Sequence, residues 1–271
     1  MAADTQPSAF KIALDGWRAA LRAITEMWSV AGPAFLLTLM AEAILQLFRS
    51  HSLATEFAIL PLYWIAQSLV LTPLAIAVHR YVLLDEVTEH YALDRSDQRF
   101  RRYFGFAVAL QALWLTLWIW WMIGHFVFGA PMRGEPIPPW AEENLGWIVV
   151  VDLVAPLVTC FVIVRVTLSI AILFPAVAID APGAGWRNAR DDSEEHIFRM
   201  FCAFALGLVP TLLIDETDDL IQQVGSHPAF DAFVIVLRAA KSVMIVSAFA
   251  AIASTFYLAC GRRLNGDAPA A

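Results

Sequence analysis

Six apolar runs, each at or close to the length that crosses a bilayer, occupy most of this 271-residue chain and restrict its fold more than anything else. A helix needs roughly 20 apolar residues to cross a hydrocarbon core about 30 Å thick, because backbone groups left unpaired in lipid are not tolerated. The runs lie at Trp28 to Phe48, Phe57 to Val78, Tyr103 to Phe128, Gly146 to Ile179, Ile197 to Ile214 and Ala229 to Cys260. Apolar residues make up 59% of the chain and charged ones only 16%, too little polar cover for a soluble domain. The expected fold class is all-α, a polytopic membrane protein with six transmembrane helices. An N-terminal amphipathic interfacial helix precedes them, and a short cytoplasmic helix joins spans four and five. This divides the chain into 1–27 as the interfacial helix, 28–260 as the transmembrane domain and 261–271 as a cytoplasmic tail. No cleavable signal peptide is expected, since the first run lacks a small-residue cleavage site ahead of a soluble remainder.

Positive residues in short loops are retained on the cytoplasmic side, so their distribution sets the orientation. Lys11, Arg18, Arg22, Arg80, Arg95, Arg99, Arg101, Arg102, Arg187, Arg190, Arg199, Arg262 and Arg263 fall on one side; only Arg49, Arg133, Arg238 and Lys241 fall on the other. Both termini are expected in the cytoplasm of a bacterium, with the chain in its inner membrane. The acidic residues Glu135, Glu142, Glu143, Asp215, Glu216, Asp218 and Asp219 concentrate outside and account for most of the formal charge of −7. That balance argues against nucleic acid as a partner.

Ahead of the first run, Phe10, Leu14, Trp17, Leu21, Ile24 and Trp28 recur at steps of four and three and share one helical face, with Lys11, Asp15, Arg18, Arg22 and Glu26 opposite. Two placements fit this pattern: a helix lying in the cytoplasmic interface with its arginines near lipid phosphates, or a helix packed on the end of the bundle. Cys160, Cys202 and Cys260 form no CxxC pair and read as small buried hydrophobes, so no disulfide framework or zinc site is expected.

Candidate functional residues are the ionisable groups inside the runs. Thr38, Glu42, Gln46 and Arg49 form a polar stripe on an otherwise apolar first span. A charge at the bilayer centre costs roughly 2.5 to 3.5 kcal/mol, so Glu42 needs a partner or a proton. Counting about 1.5 Å per residue puts Glu42, Gln46, His125, Asp152, Arg238 and Lys241 all in the outer part of the membrane. They are the candidate set for a polar pocket in which Glu42 and Asp152 balance Arg238 and Lys241; the plainer alternative is separate structural salt bridges. Arg18, Arg22 and Arg165 are candidate headgroup contacts. Arg165 lies either at the membrane centre, where it needs a carboxylate, or near the cytoplasmic boundary, where phosphates suffice.

Trp114, Trp118, Trp121 and His125 make an aromatic stripe, read as packing or lipid contact, and no cofactor is expected. Glu86, Glu89, His90, Asp191, Asp192, Glu195 and His196 have the spacing of solvated charged helices, with Asp97 facing Arg101, Arg187 facing Asp191, Arg190 facing Glu194 and Glu195 facing Arg199. No metal site is expected. Nucleophile-elbow, Walker, HExxH and dinucleotide motifs do not occur, which disfavours an enzyme.

Residues 173–201, LFPAVAIDAPGAGWRNARDDSEEHIFRMF, follow an arginine-bearing fourth run with a proline, an acidic turn, a glycine and a short helix. This stretch, with Arg165, Pro175, Asp180, Gly183 and Trp186 in the pattern, resembles bacterial six-span membrane proteins related to the membrane domain of glycerophosphodiester phosphodiesterases. The resemblance implies a membrane module without its hydrolase. The expected function is non-catalytic binding of membrane lipids or of another membrane protein; the alternative is a small transporter or channel using an outward-facing pocket around Glu42.

Overall fold

A computed structural model describes residues 7–49, 53–132, 143, 145–224 and 228–266, with side chains described except at 49, 53–58, 121–132, 145, 148–153, 218–224 and 228. The described chain is all-α and polytopic, with six helices long and apolar enough to cross a membrane. In chain order these elements are α1 (Ala9–Glu26), α2 (Trp28–Arg49), α3 (Leu53–Leu84), α4 (Gln98–Met132), α5 (Leu145–Ala178), α6 (Trp186–Ser193), a 3-10 turn (Glu194–His196), α7 (Ile197–Val224) and α8 (Pro228–Cys260).

α8 is the hub, packing against α1, α2, α3, α5 and α7. Its sequence explains why. Ala239, Ser247, Ala248, Ala250, Ala251 and Ser254 are all buried, and such small side chains let neighbouring backbones approach closely where lipid offers no competing hydrophobic drive. The outward surfaces of the spans are apolar as well. Leu36, Met40, Ile44 and Leu47 on α2, and Leu157, Val158 and Phe161 on α5, are exposed, as residues facing acyl chains should be. Cys160 lies on that outward surface instead of in the core, whereas Cys260 is buried as expected.

α1 starts at Ser8, whose hydroxyl accepts the Lys11 N–H at 3.3 Å, and ends at Met27. It is docked on α7 and α8, and the face it buries is not the large apolar stripe. Ile12, Gly16, Ala20 and Ala23 turn inward, with Gly16 seated on Ile252, while Phe10, Leu14, Leu21 and Trp28 stay exposed. The helix therefore packs on the bundle through Ile12 and its small residues, with Trp17 and Ile24 at the margin of the contact, and keeps the rest of its bulky apolar face outward.

Prolines interrupt four of the spans, and proline inside a helix loosens the carbonyls of the preceding turn. Two of those carbonyls serve as docking points. Gly207 O, three residues before Pro210, accepts Trp17 Nε1 at 3.0 Å; Val70 O, three before Pro73, accepts the Tyr91 hydroxyl at 2.8 Å.

Both described termini sit at one basic end of the bundle. Arg199 donates to Pro7 O, Arg99 pairs with Asp180 at 2.6 Å, and Arg102 donates to Ala184 O at 2.6 Å. The turn following α8 is clamped between α6 and the 180–184 turn. Gly183 N donates to Leu264 O at 3.0 Å, and the Asp192 carboxylate accepts the Arg263 and Leu264 N–H groups at 3.2 and 3.0 Å. Asp191 and Glu194 reach Arg263 and Arg165 respectively, so the facing expected along α6 from four-residue spacing gives way to tertiary pairs. The reason is geometric. α6 has only eight residues and packs against α5, which brings Arg165 and Arg263 of other elements within reach.

Candidate functional site

The sequence charges of the spans converge at the end of the bundle opposite the termini. Glu42 of α2 is 7% exposed despite its charge and accepts the Tyr63 hydroxyl of α3. Gln67, one turn further along α3, donates to that same hydroxyl oxygen at 3.0 Å and to Ser242 Oγ of α8 at 2.8 Å. Ser242 in turn donates to Arg238 O at 3.0 Å. Lys241 pairs with Asp215 of α7. Glu42, Tyr63, Asp215, Arg238, Lys241 and Ser242 line one pocket of about 460 Å³, in which two carboxylates face two cations.

Of the expected set, Glu42, Arg238 and Lys241 therefore share a cavity. Gln46 sits partly buried on the same helix but does not line it, and the side chains of His125 and Asp152 lie outside the described residues. The acid facing Lys241 is Asp215, which the sequence assigned to an external loop because the apolar run stops at Ile214. α7 continues as a helix to Val224, and this keeps Asp215 on a helical face within reach of α8. Tyr63 and Gln67 were also missed. Their four-residue spacing on an apolar helix is the signal that would have found them, being the same stripe logic that picked out Glu42.

A second, larger cavity of about 530 Å³ lies among α3, α4, α5, α7 and α8, and its walls are mostly apolar. Leu110, Leu168, Phe174 and Phe204 are representative. Trp114, Phe201 and Leu208 line it while remaining 42%, 47% and 37% exposed, so the cavity is continuous with the outer surface at the level of the spans. At its floor, His79 bonds Ser254 Oγ through Nδ1 at 2.8 Å and the Tyr103 hydroxyl through Nε2 at 3.1 Å. Both ring nitrogens are thus committed, and Ser254 is fully buried away from the cavity lining. This trio holds α3, α4 and α8 together. Gln111 and Thr167 also line the cavity, and Gln111 Oε1 and Thr167 Oγ1 are buried without a hydrogen-bond partner.

The remaining candidates fall outside both cavities. Arg165 is bonded to Glu194 at 2.8 Å and partly exposed, well inside α5. Arg18 pairs with Asp15 at 3.4 Å and, like Arg22, is exposed on α1. Glu86 is taken up by Arg80, and among the described residues no three His, Cys, Asp or Glu side chains are grouped to hold a metal. Outside the spans, the Tyr91 hydroxyl is pushed up to about 12 by burial, and Asp94 is held below its ordinary value by hydrogen bonds from Ser96.

No protein-family model matches this chain, and neither does any curated protein or solved structure.

Proposed function

We propose that this is a non-catalytic, lipid-binding protein of a bacterial inner membrane, with both termini in the cytoplasm. The observation that carries the reading is the apolar cavity at the level of the spans, open to the outer surface beside Trp114, Phe201 and Leu208. A pocket of about 530 Å³ is within the range that binds small organic ligands, and it is more than three times the roughly 150 Å³ cavity that suffices for benzene. For a chain whose surroundings are acyl chains, the molecule available to fill such a space is lipid. The resemblance of residues 173–201 to modules that accompany glycerophosphodiester phosphodiesterases points the same way. The arginine-rich basic end supports the orientation, because it would meet the anionic cytoplasmic leaflet.

Native mass spectrometry of the protein released from mild detergent tests the reading. The wild type is expected to retain lipid. Ala107→Phe with Ala171→Phe, which adds bulk to two lining positions, is expected to lose it. Equal retention by that variant would refute the cavity as the site.

The charged pocket around Glu42 favours a second reading, a small transporter or channel. Proteoliposomes separate the two: a solute flux abolished by Glu42→Gln supports transport, and no flux above empty vesicles leaves lipid binding.

A further inference from the structure

The two cavities are stacked along α3 and α8. The polar pocket takes residues from Leu60 to Leu71 of α3 and from Arg238 to Val246 of α8; the apolar cavity takes residues from Gln67 to His79 and from Val246 to Ala253. They meet at Gln67, Leu71 and Val246, which line both. Tyr63 in the one and Thr72 in the other are nine residues apart, about 14 Å along the helix. A charged compartment lying in line with an apolar one, in a bilayer protein, is the shape of an amphiphile.

Resting on the lipid-binding reading above, we infer that the polar pocket is a headgroup subsite and that the ligand is a lysophospholipid with an ammonium-bearing head, of the phosphoethanolamine type. Three observations select it. The first is charge. Two cations and two carboxylates line the pocket, which suits a head carrying both signs better than a purely anionic one. Glu42 is buried, and its carboxylate, able to accept about four hydrogen bonds, receives the Tyr63 hydroxyl, leaving acceptor capacity for an ammonium with three donors. Arg238 and Lys241 supply positive charge for the phosphate.

The second is volume. At roughly 30 Å³ per unit, the share of a water in the liquid and close to that of a methylene, about 530 Å³ matches one chain of about eighteen carbons. The third is Gln111. Its amide nitrogen donates to Trp64 O at 3.0 Å, and Trp64 lines the polar pocket, so this amide sits near the junction of the two cavities. Its oxygen is buried without a donor. A glycerol hydroxyl, present in a lysophospholipid and esterified in a diacyl lipid, is the donor that a ligand threading the junction would bring there.

Binding of defined lipids to the detergent-purified full chain, measured by native mass spectrometry and by ligand-induced thermal shift, tests the assignment. Lysophosphatidylethanolamine is expected to bind at least about tenfold more tightly than its N-acetyl derivative, than lysophosphatidylglycerol and than diacyl phosphatidylethanolamine. Glu42→Gln is expected to erase the preference over the N-acetyl lipid and over lysophosphatidylglycerol, while Ala107→Phe with Ala171→Phe is expected to abolish binding of all four. The wild-type comparison between the free and acetylated amines stands even where Glu42→Gln does not fold. Indifference to the ammonium, or diacyl lipid binding as well as the single-chain lipid, overturns the inference while leaving the cavity reading intact. Undiminished binding by the cavity-filled variant overturns both.

Discussion

Replacing Gly183 with alanine should undock the turn that follows α8, and its cost can be bounded from both sides. A β-carbon on Gly183 would lie 2.0 Å from Arg263 O and 2.8 Å from Leu264 O, both backbone atoms that cannot swing away as a flexible side chain can. The turn must therefore shift by more than an ångström, which breaks the Gly183 N–H to Leu264 O bond, worth about 1 kcal/mol. The ceiling is the free energy that docks the turn, because strain beyond it is relieved by detachment. Leu264 is fully buried, worth roughly 2 kcal/mol, and the hydrogen bonds that Asp192 accepts from Arg263 and Leu264 add roughly 2 more, since one of them is exposed. The Arg263–Asp191 pair, about 40% exposed on each side, adds little. The expected loss is about 3 kcal/mol, which is about a hundredfold faster amide exchange across residues 261–266. Hydrogen-exchange mass spectrometry in mild detergent reads this directly. Gly105→Ala is the control: its β-carbon meets nothing within 4 Å, and a helical Gly→Ala should stabilise by about 0.5 to 1 kcal/mol. Unchanged protection of residues 261–266 in Gly183→Ala would refute the reasoning.

Three further outcomes are expected. Gly16→Ala places a β-carbon 2.4 Å from Ile252 Cγ1 and should cost about 1 to 3 kcal/mol in thermal unfolding; adding Ile252→Ala should recover part of it, and strict additivity would mean the two do not touch. His79→Ala leaves the buried Tyr103 and Ser254 hydroxyls without their partner and should cost at least about 2 kcal/mol in unfolding, and a loss near zero would mean that the trio does not join the three helices. Tyr91 holds its proton more tightly when folded, at about 12 against an ordinary 10.0, so the stability it contributes is present below pH 10 and is lost as pH rises through 12. Titration of tyrosinate absorbance should lose one strongly alkaline step in Tyr91→Phe, and loss of a step near the ordinary 10.0 instead would count against the burial of that hydroxyl.

The sequence was most legible where one physical rule acts alone. Apolar run length placed all six spans, and the inward stripe of Thr38 and Glu42 followed from helical periodicity, because a charged group on a lipid-facing surface is too costly to be the alternative. It was least legible where helices continue beyond the hydrocarbon. Asp215 looked like loop because hydropathy reports the bilayer boundary, whereas the helix obeys its own hydrogen bonding and runs on to Val224. Likewise α1 carries two apolar faces, a bulky one and a small one. Residue size made the first conspicuous, yet helix packing rewards close backbone approach, and so Gly16, Ala20 and Ala23 took the closest contact, with Trp17 and Ile24 packing beside them. The stacking of the two cavities depends on which helices are neighbours, and a single sequence holds no direct record of that.

Whether Glu42 serves the fold or the ligand can be separated by its energetics. A carboxylate at the bilayer centre costs roughly 2.5 to 3.5 kcal/mol, a ceiling for Glu42 in the outer part of its span, and a hydrogen bond to a charged group returns about 1.5 to 3 kcal/mol. The Tyr63 hydroxyl thus leaves Glu42 near break-even for stability. Buried polar pairs of this kind are often replaced by apolar residues without loss, provided both members go, since a stranded partner carries the penalty. Glu42→Leu alone would strand the Tyr63 proton, whereas Glu42→Leu with Tyr63→Phe removes the pair and leaves only Gln67, which still donates to Ser242, short of one acceptor. The double variant should therefore lose no more than about 1 to 3 kcal/mol, the cost of one stranded Gln67 donor, while losing selectivity for the ammonium-bearing lipid. If it unfolds several kcal/mol more easily and keeps that selectivity, Glu42 is a structural residue, and the headgroup must be sought elsewhere.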